Sequence, residues 1–201
     1  MNKLKFEILK ELKEHIPFTL AATLISILIM SFLLLKQNLI LHAVSLFYIA
    51  HPLHILFSSF VSSAIFYKHT KKIFLAIITG AFISLFVGSL SDAIFPYLGS
   101  SLFRIPISFH LPAIENPILI FGASIFGASL GIAIKKTKFP HFIHVFISVF
   151  ASLLYIFAYS TNFSILTIFL IFIITSTSVI IPCCLSDIVF PMIFQRRLKS
   201  K

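Results

Sequence analysis

Six apolar runs of nearly equal length follow one another along this chain: Pro17–Leu35, Ala50–Tyr67, Ile73–Leu90, Pro117–Ile134, His141–Tyr159 and Ile165–Ile181. A helix rising 1.5 Å per residue needs about 20 such residues to cross a hydrocarbon core about 30 Å thick. Each run is close to that length, which constrains the fold more than any other feature. With 59% hydrophobic and 11% charged residues, the chain also lacks the polar side chains that a soluble domain needs to cover its surface. The second run can be extended back to Leu39, too far for one straight span, so a bend or an interfacial stretch is expected before Pro52. The first run is longer than the apolar core of a cleaved signal and no small-residue cleavage site follows it, so it reads as a span.

The charges give the orientation. With the N-terminus inside, the 16 Lys and Arg fall on inner segments except for Lys36 and Arg104. Cations concentrate on the cytoplasmic side of membrane spans, so both termini are expected there, in a multi-pass protein of the cytoplasmic (inner) membrane. The net charge of +10 is explained by this flanking, and nucleic acid is not an expected partner. Residues 1–15 place Leu4, Ile8, Leu12 and Ile16 at helical spacing among Lys and Glu, the pattern of an amphipathic helix on the membrane surface.

A duplication gives the architecture. His51-Pro-Leu-His54-Ile-Leu-Phe-Ser58-Ser-Phe60-Val-Ser62 returns as His141-Phe-Ile-His144-Val-Phe-Ile-Ser148-Val-Phe150-Ala-Ser152, offset by 90. Leu90-Ser91-Asp92-Ala-Ile-Phe95-Pro96 returns as Leu185-Ser186-Asp187-Ile-Val-Phe190-Pro191, offset by 95. Three spans per half force the second half to enter the membrane inverted, an arrangement characteristic of secondary transporters. The expected fold is therefore an all-α membrane protein with six transmembrane helices in two inverted three-helix repeats. The expected parts are an N-terminal segment (1–15), a first repeat (16–100), an outer connection (101–116), a second repeat (117–194) and a basic tail (195–201). The region from 93 to 116, with Pro96, Pro106 and Pro112, reads as a surface cap or a re-entrant segment.

Spacings of three, four and four put His51, His54, Ser58 and Ser62 on one helix face, and likewise His141, His144, Ser148 and Ser152. Lipid cannot satisfy a polar stripe, so each stripe should face the bundle interior or a water-filled path. Two imidazoles three residues apart can share a cation, and Asp92 or Asp187 could complete the set. A carboxylate inside a span is costly and marks function. The competing reading has His and Ser merely hydrogen-bonding between helices, with Asp92 and Asp187 capping turns beside Ser91 and Ser186. Cys183 and Cys184 are neighbours, which argues against a disulfide framework; as thiolates near Asp187 they would favour zinc, copper or iron.

The H-P-x-H and L-S-D-x-x-F-P pair resembles an uncharacterised family of small prokaryotic six-helix membrane proteins, over about residues 45–100 and 138–194. The resemblance implies a duplicated six-helix arrangement and supplies no activity.

The leading functional expectation is a transporter or permease for a divalent transition metal such as zinc, manganese, iron or copper, with protons as a possible coupling ion. His51, His54 and Asp92 would form one metal cluster and His141, His144 and Asp187 the other, supported by the serines and cysteines named above. The alternatives are an intramembrane metal-dependent hydrolase and a non-catalytic subunit of a larger complex. Besides the bilayer, a homo-oligomer or partner subunit could use the small-residue face of Ala123, Gly127 and Gly131, which internal packing explains equally well.

Overall fold

The computed structural model describes residues 19–29, 42–134, 138–160 and 165–184, with Lys13 and Pro17; residues 69, 138–142, 165 and 183–184 are described by backbone alone. Its helices in chain order are α1 (Thr19–Ile29), α2 (Ala43–Thr70), α3 (Ile73–Ser89), a π-helical turn (Leu90–Ile94), α4 (Phe95–Leu102), a short α5 (Pro112–Glu115), α6 (Pro117–Ile134), α7 (Lys138–Tyr159) and α8 (Ile165–Cys184). No strand element occurs among the described residues; a lone bridge pairs Ile107 with Ser160.

Three stretches are long and apolar enough to cross a membrane: Ala43–Lys68, Ile73–Leu102 and Pro117–Ile134. Thr19–Ile29, Ile143–Tyr159 and Leu166–Pro182 are apolar helices of shorter extent. The outward surface fits this, since Phe74 is 78% and Ile118 89% exposed, side chains that lipid would cover favourably. Over its described residues the chain is all-helical, and its three long apolar helices mark it as a membrane protein.

Two sequence-based boundaries change. α2 begins at Ala43 rather than near Ala50 and runs as one helix through Pro52. Proline removes one backbone donor, which a long helix packed on several sides tolerates. The third helix does not stop at Leu90. It continues through the π-turn and α4 to Leu102, so residues 93–102 belong to the helix rather than to a connection. The connection proper starts after Arg104, which adopts φ 57°. There Ile105 N–H bonds the Ser100 carbonyl at 2.9 Å and Arg104 N–H the Ser101 carbonyl at 3.0 Å, the paired bonds of a left-handed helix stop. Lys71 ends α2 in the same left-handed way, its N–H bonding the Tyr67 carbonyl at 2.9 Å, and two residues suffice to turn the chain into α3.

α2 is the centre of the bundle, packed by α3, α6 and α7. Its contact with α6 is close because α6 carries glycines. A Cβ at Gly127 would be driven into the Leu56 carbonyl oxygen, and one at Gly131 into the Phe60 carbonyl oxygen. Bare backbone at both positions lets the helices meet, and Ser63 Oγ donates across the contact to the Ala128 carbonyl at 2.7 Å. The small-residue face is thus engaged within the chain, by α2.

Gly127→Ala and Gly131→Ala should each destabilise the protein by about 2 kcal/mol or more, because backbone rather than a movable side chain opposes the methyl. Gly122→Ala, which meets nothing within 4 Å, should leave the unfolding midpoint in detergent unchanged. Equal midpoints for all three variants would contradict this packing.

Candidate functional site

The site is built where the third helix loosens. In an α-helix the Phe95 N–H would bond the Ser91 carbonyl; here it reaches back to Leu90, widening the turn. Pro96 has no N–H to give the Asp92 carbonyl. Two carbonyls are thereby released from the usual ladder. The Ser91 carbonyl accepts Ser152 Oγ from α7 at 2.8 Å, so a side chain of the second half satisfies the backbone of the first.

Asp92 sits in this turn with no exposed surface. Its Oδ2 lies 2.8 Å from His51 Nδ1 and 2.7 Å from His54 Nδ1, both on α2. Its Oδ1 accepts Ser91 Oγ at 2.6 Å and Ser148 Oγ, from α7, at 3.0 Å. Ser148 also lies 3.2 Å from Ser91 Oγ. The carboxylate thus has four hydrogen-bonding partners from three helices, and its side chain is used on them rather than on capping a turn. An ionised carboxylate only accepts, so both imidazoles then carry a proton on Nδ1, and in the neutral form of each ring Nε2 keeps a lone pair. His51 Nε2 and His54 Nε2 are buried without a hydrogen-bond partner.

His144, from the second half, joins this group. Its ring is stacked on His54, with centroids 5.8 Å apart and planes 4° from parallel. These two residues occupy equivalent positions in the duplicated stripes, and the fold brings them face to face. The serines divide differently: Ser148 and Ser152 serve Asp92 and Ser91, while Ser58 Oγ and Ser62 Oγ are buried without partners. No Lys or Arg is buried among the described residues. With both histidines neutral, the cluster carries one uncompensated negative charge.

His51, His54, Asp92, Ser91, Ser148, Ser152 and His144 are therefore assembled in one place. Asp187 and Ser186 lie outside the described residues, and His141, Cys183 and Cys184 are known by backbone position only. Among the described residues, no group of three or more His, Cys, Asp or Glu is arranged to hold a metal ion.

A second polar group escaped the sequence reading. Glu115, at the end of α5, accepts a hydrogen bond from Tyr48 of α2 on one carboxylate oxygen and lies 3.0 Å from His110 Nδ1 on the other. The His110 ring stacks on Tyr159 with centroids 4.1 Å apart, and its backbone N–H bonds Tyr155 Oη at 3.0 Å. Burial alone would push the Glu115 carboxyl up. The hydrogen bonds from Tyr48 and His110, with the nearby imidazole, outweigh burial and hold it below its ordinary value. Neither His110 nor Tyr48 stands in a repeated motif, so no sequence signal linked them to Glu115.

Asp92→Leu should cost about 2–4 kcal/mol in detergent, because it strands two buried imidazole donors. Ser148→Ala should cost only about 0.5–1 kcal/mol, since three partners remain on the carboxylate. An Asp92→Leu protein as stable as the parent would mean that the cluster is hydrated rather than dry. No protein-family model matches the chain, and no curated protein and no solved structure matches it, which leaves the geometry of this cluster as the ground for its function.

Proposed function

We propose that the chain is a multi-pass permease for a cation, built from six spans in two inverted three-helix repeats with both termini on the cytoplasmic side of the cytoplasmic membrane. The observation that carries this reading is Asp92, a fully buried carboxylate bonded by two imidazoles with no buried Lys or Arg beside it among the described residues. A negative charge in a low-dielectric span is expensive, and the arrangement gains stability by taking up positive charge. Anions are disfavoured by the same sign.

Two species suit the site. A proton is accepted by either Nε2 lone pair. A divalent transition metal such as zinc, manganese, iron or copper suits the same two nitrogens, with Asp92 acting behind them to fix the tautomers and raise their basicity. Proton and metal compete for one pair of atoms, which is the basis for coupling them. Among the described residues, two imidazole nitrogens are fewer than the three protein ligands that retain a catalytic zinc, which suits transient passage.

The inverted repeat draws support from the stacking of His54 on His144 and from the serines. Ser148 and Ser152 serve Ser91 and Asp92, while the hydroxyls of their equivalents Ser58 and Ser62 are buried and unused. The proposal gives those hydroxyls a matching role toward Ser186 and Asp187, with His141 and His144 as the second pair.

In proteoliposomes, uptake of Mn²⁺ or Zn²⁺ and proton flux reported by an internal dye test the reading. Asp92→Asn should reduce flux by about 100-fold or more, as expected when the buried charge that offsets the passing cation is removed. Ser129→Ala, an exposed position on α6, should leave it unchanged. Parent-level flux of both cations in Asp92→Asn would end the proposal.

A further inference from the structure

Between the two polar groups lies an aromatic layer. Phe47, with no exposed surface, stacks on His51 of the central cluster with centroids 5.6 Å apart. On its other sides it meets Tyr155 at 5.3 Å and Tyr159 at 6.0 Å, the two tyrosines that hold His110. Tyr48, the next residue on α2, donates to Glu115. Phe47 is thus the ring interposed between a half-open carboxylate–imidazole pair, whose side chains are 34% and 39% exposed, and a central carboxylate–imidazole cluster with no exposure. The chemistry repeats: each group offers one carboxylate with an imidazole Nδ1 against it.

The geometry points to a second cation site, formed by Glu115 and His110, that loads the ion before it reaches Asp92 and is closed off from it by Phe47; Tyr48 only braces the Glu115 carboxylate against α2. Deepening the permease reading, this proposal rests on it. Glu115 supplies the charge that concentrates cations at the mouth, and the His110 ring lies against the same carboxylate through Nδ1. An exposed pair binds weakly and exchanges quickly, as a loading site must, whereas the buried cluster selects. Phe47 prevents continuous passage while its ring lies on His51, and a change of its rotamer joins the two sites.

The test measures Mn²⁺ uptake and dye-reported proton flux in proteoliposomes of the full chain, as a function of cation concentration or external pH. Glu115→Gln should raise half-saturating Mn²⁺ about tenfold, or move half-maximal proton flux about one pH unit toward acid, with the saturating rate within about twofold of the parent. Tyr48→Phe breaks the same hydrogen bond but keeps the carboxylate, and should retain the parent's half-saturation. Phe47→Ala should raise passive leak through the protein.

Equal shifts in Glu115→Gln and Tyr48→Phe would reduce the contact to a structural bond and overturn the loading site. Parent-level leak in Phe47→Ala would overturn its closure by Phe47. If flux is lost in Asp92→Asn while Glu115→Gln titrates like the parent, only the loading site falls. If the parent carries neither cation, the permease reading falls and this site with it.

Discussion

Taking a carboxylate out of water costs several kcal/mol even after relaxation, and an apolar helix offers nothing to offset it. Asp92 is that carboxylate, and most of the described architecture can be followed from what it requires. Four polar groups reach it, none adjacent in the chain except Ser91. His51 and His54 fix the face that α2 turns toward the third helix, and Ser148 fixes the face of α7. The carboxylate is a junction between the halves as well as a candidate site.

The junction depends on a local departure from α-helical geometry. Pro96 stands four residues after Asp92, where its N–H would have closed the turn. The π-turn that results points Ser91 and Asp92 into the bundle and frees the Ser91 carbonyl for Ser152. π-Turns within helices are often found at functional sites because they aim a side chain that regular geometry would direct elsewhere. Here the same five residues supply the charge, one hydroxyl partner and a backbone acceptor.

Close approach of α2 and α6 completes the frame. Gly127 and Gly131 allow backbone to meet backbone on one side of α2, while its histidines engage the third helix and α7. One helix thus carries a packing face and a chemical face. The connection after Arg104 adds a third relation, tying Glu115 to the first turns of α2 through Tyr48 and resting His110 on Tyr159.

The apolar runs determined the helical membrane class, since backbone in lipid must bond within its own segment. The spacing of His51, His54, Ser58 and Ser62 told which residues share a face, because a 3.6-residue period is local. The L-S-D-x-x-F-P pattern marked Asp92 as a carboxylate without solvent around it. What it could not supply was the continuation of the third helix to Leu102, because Pro96 closes a helix or widens it depending on what receives the released carbonyls, and Ser152 lies 56 residues from Pro96. Tertiary structure alone brought His144 onto His54 and set Asp92 against imidazole protons. It alone joined Glu115 to Tyr48, 67 residues apart. Periodicity fixes the direction of a side chain around its own helix; its partner depends on which other helix packs there, and that is decided by the whole bundle.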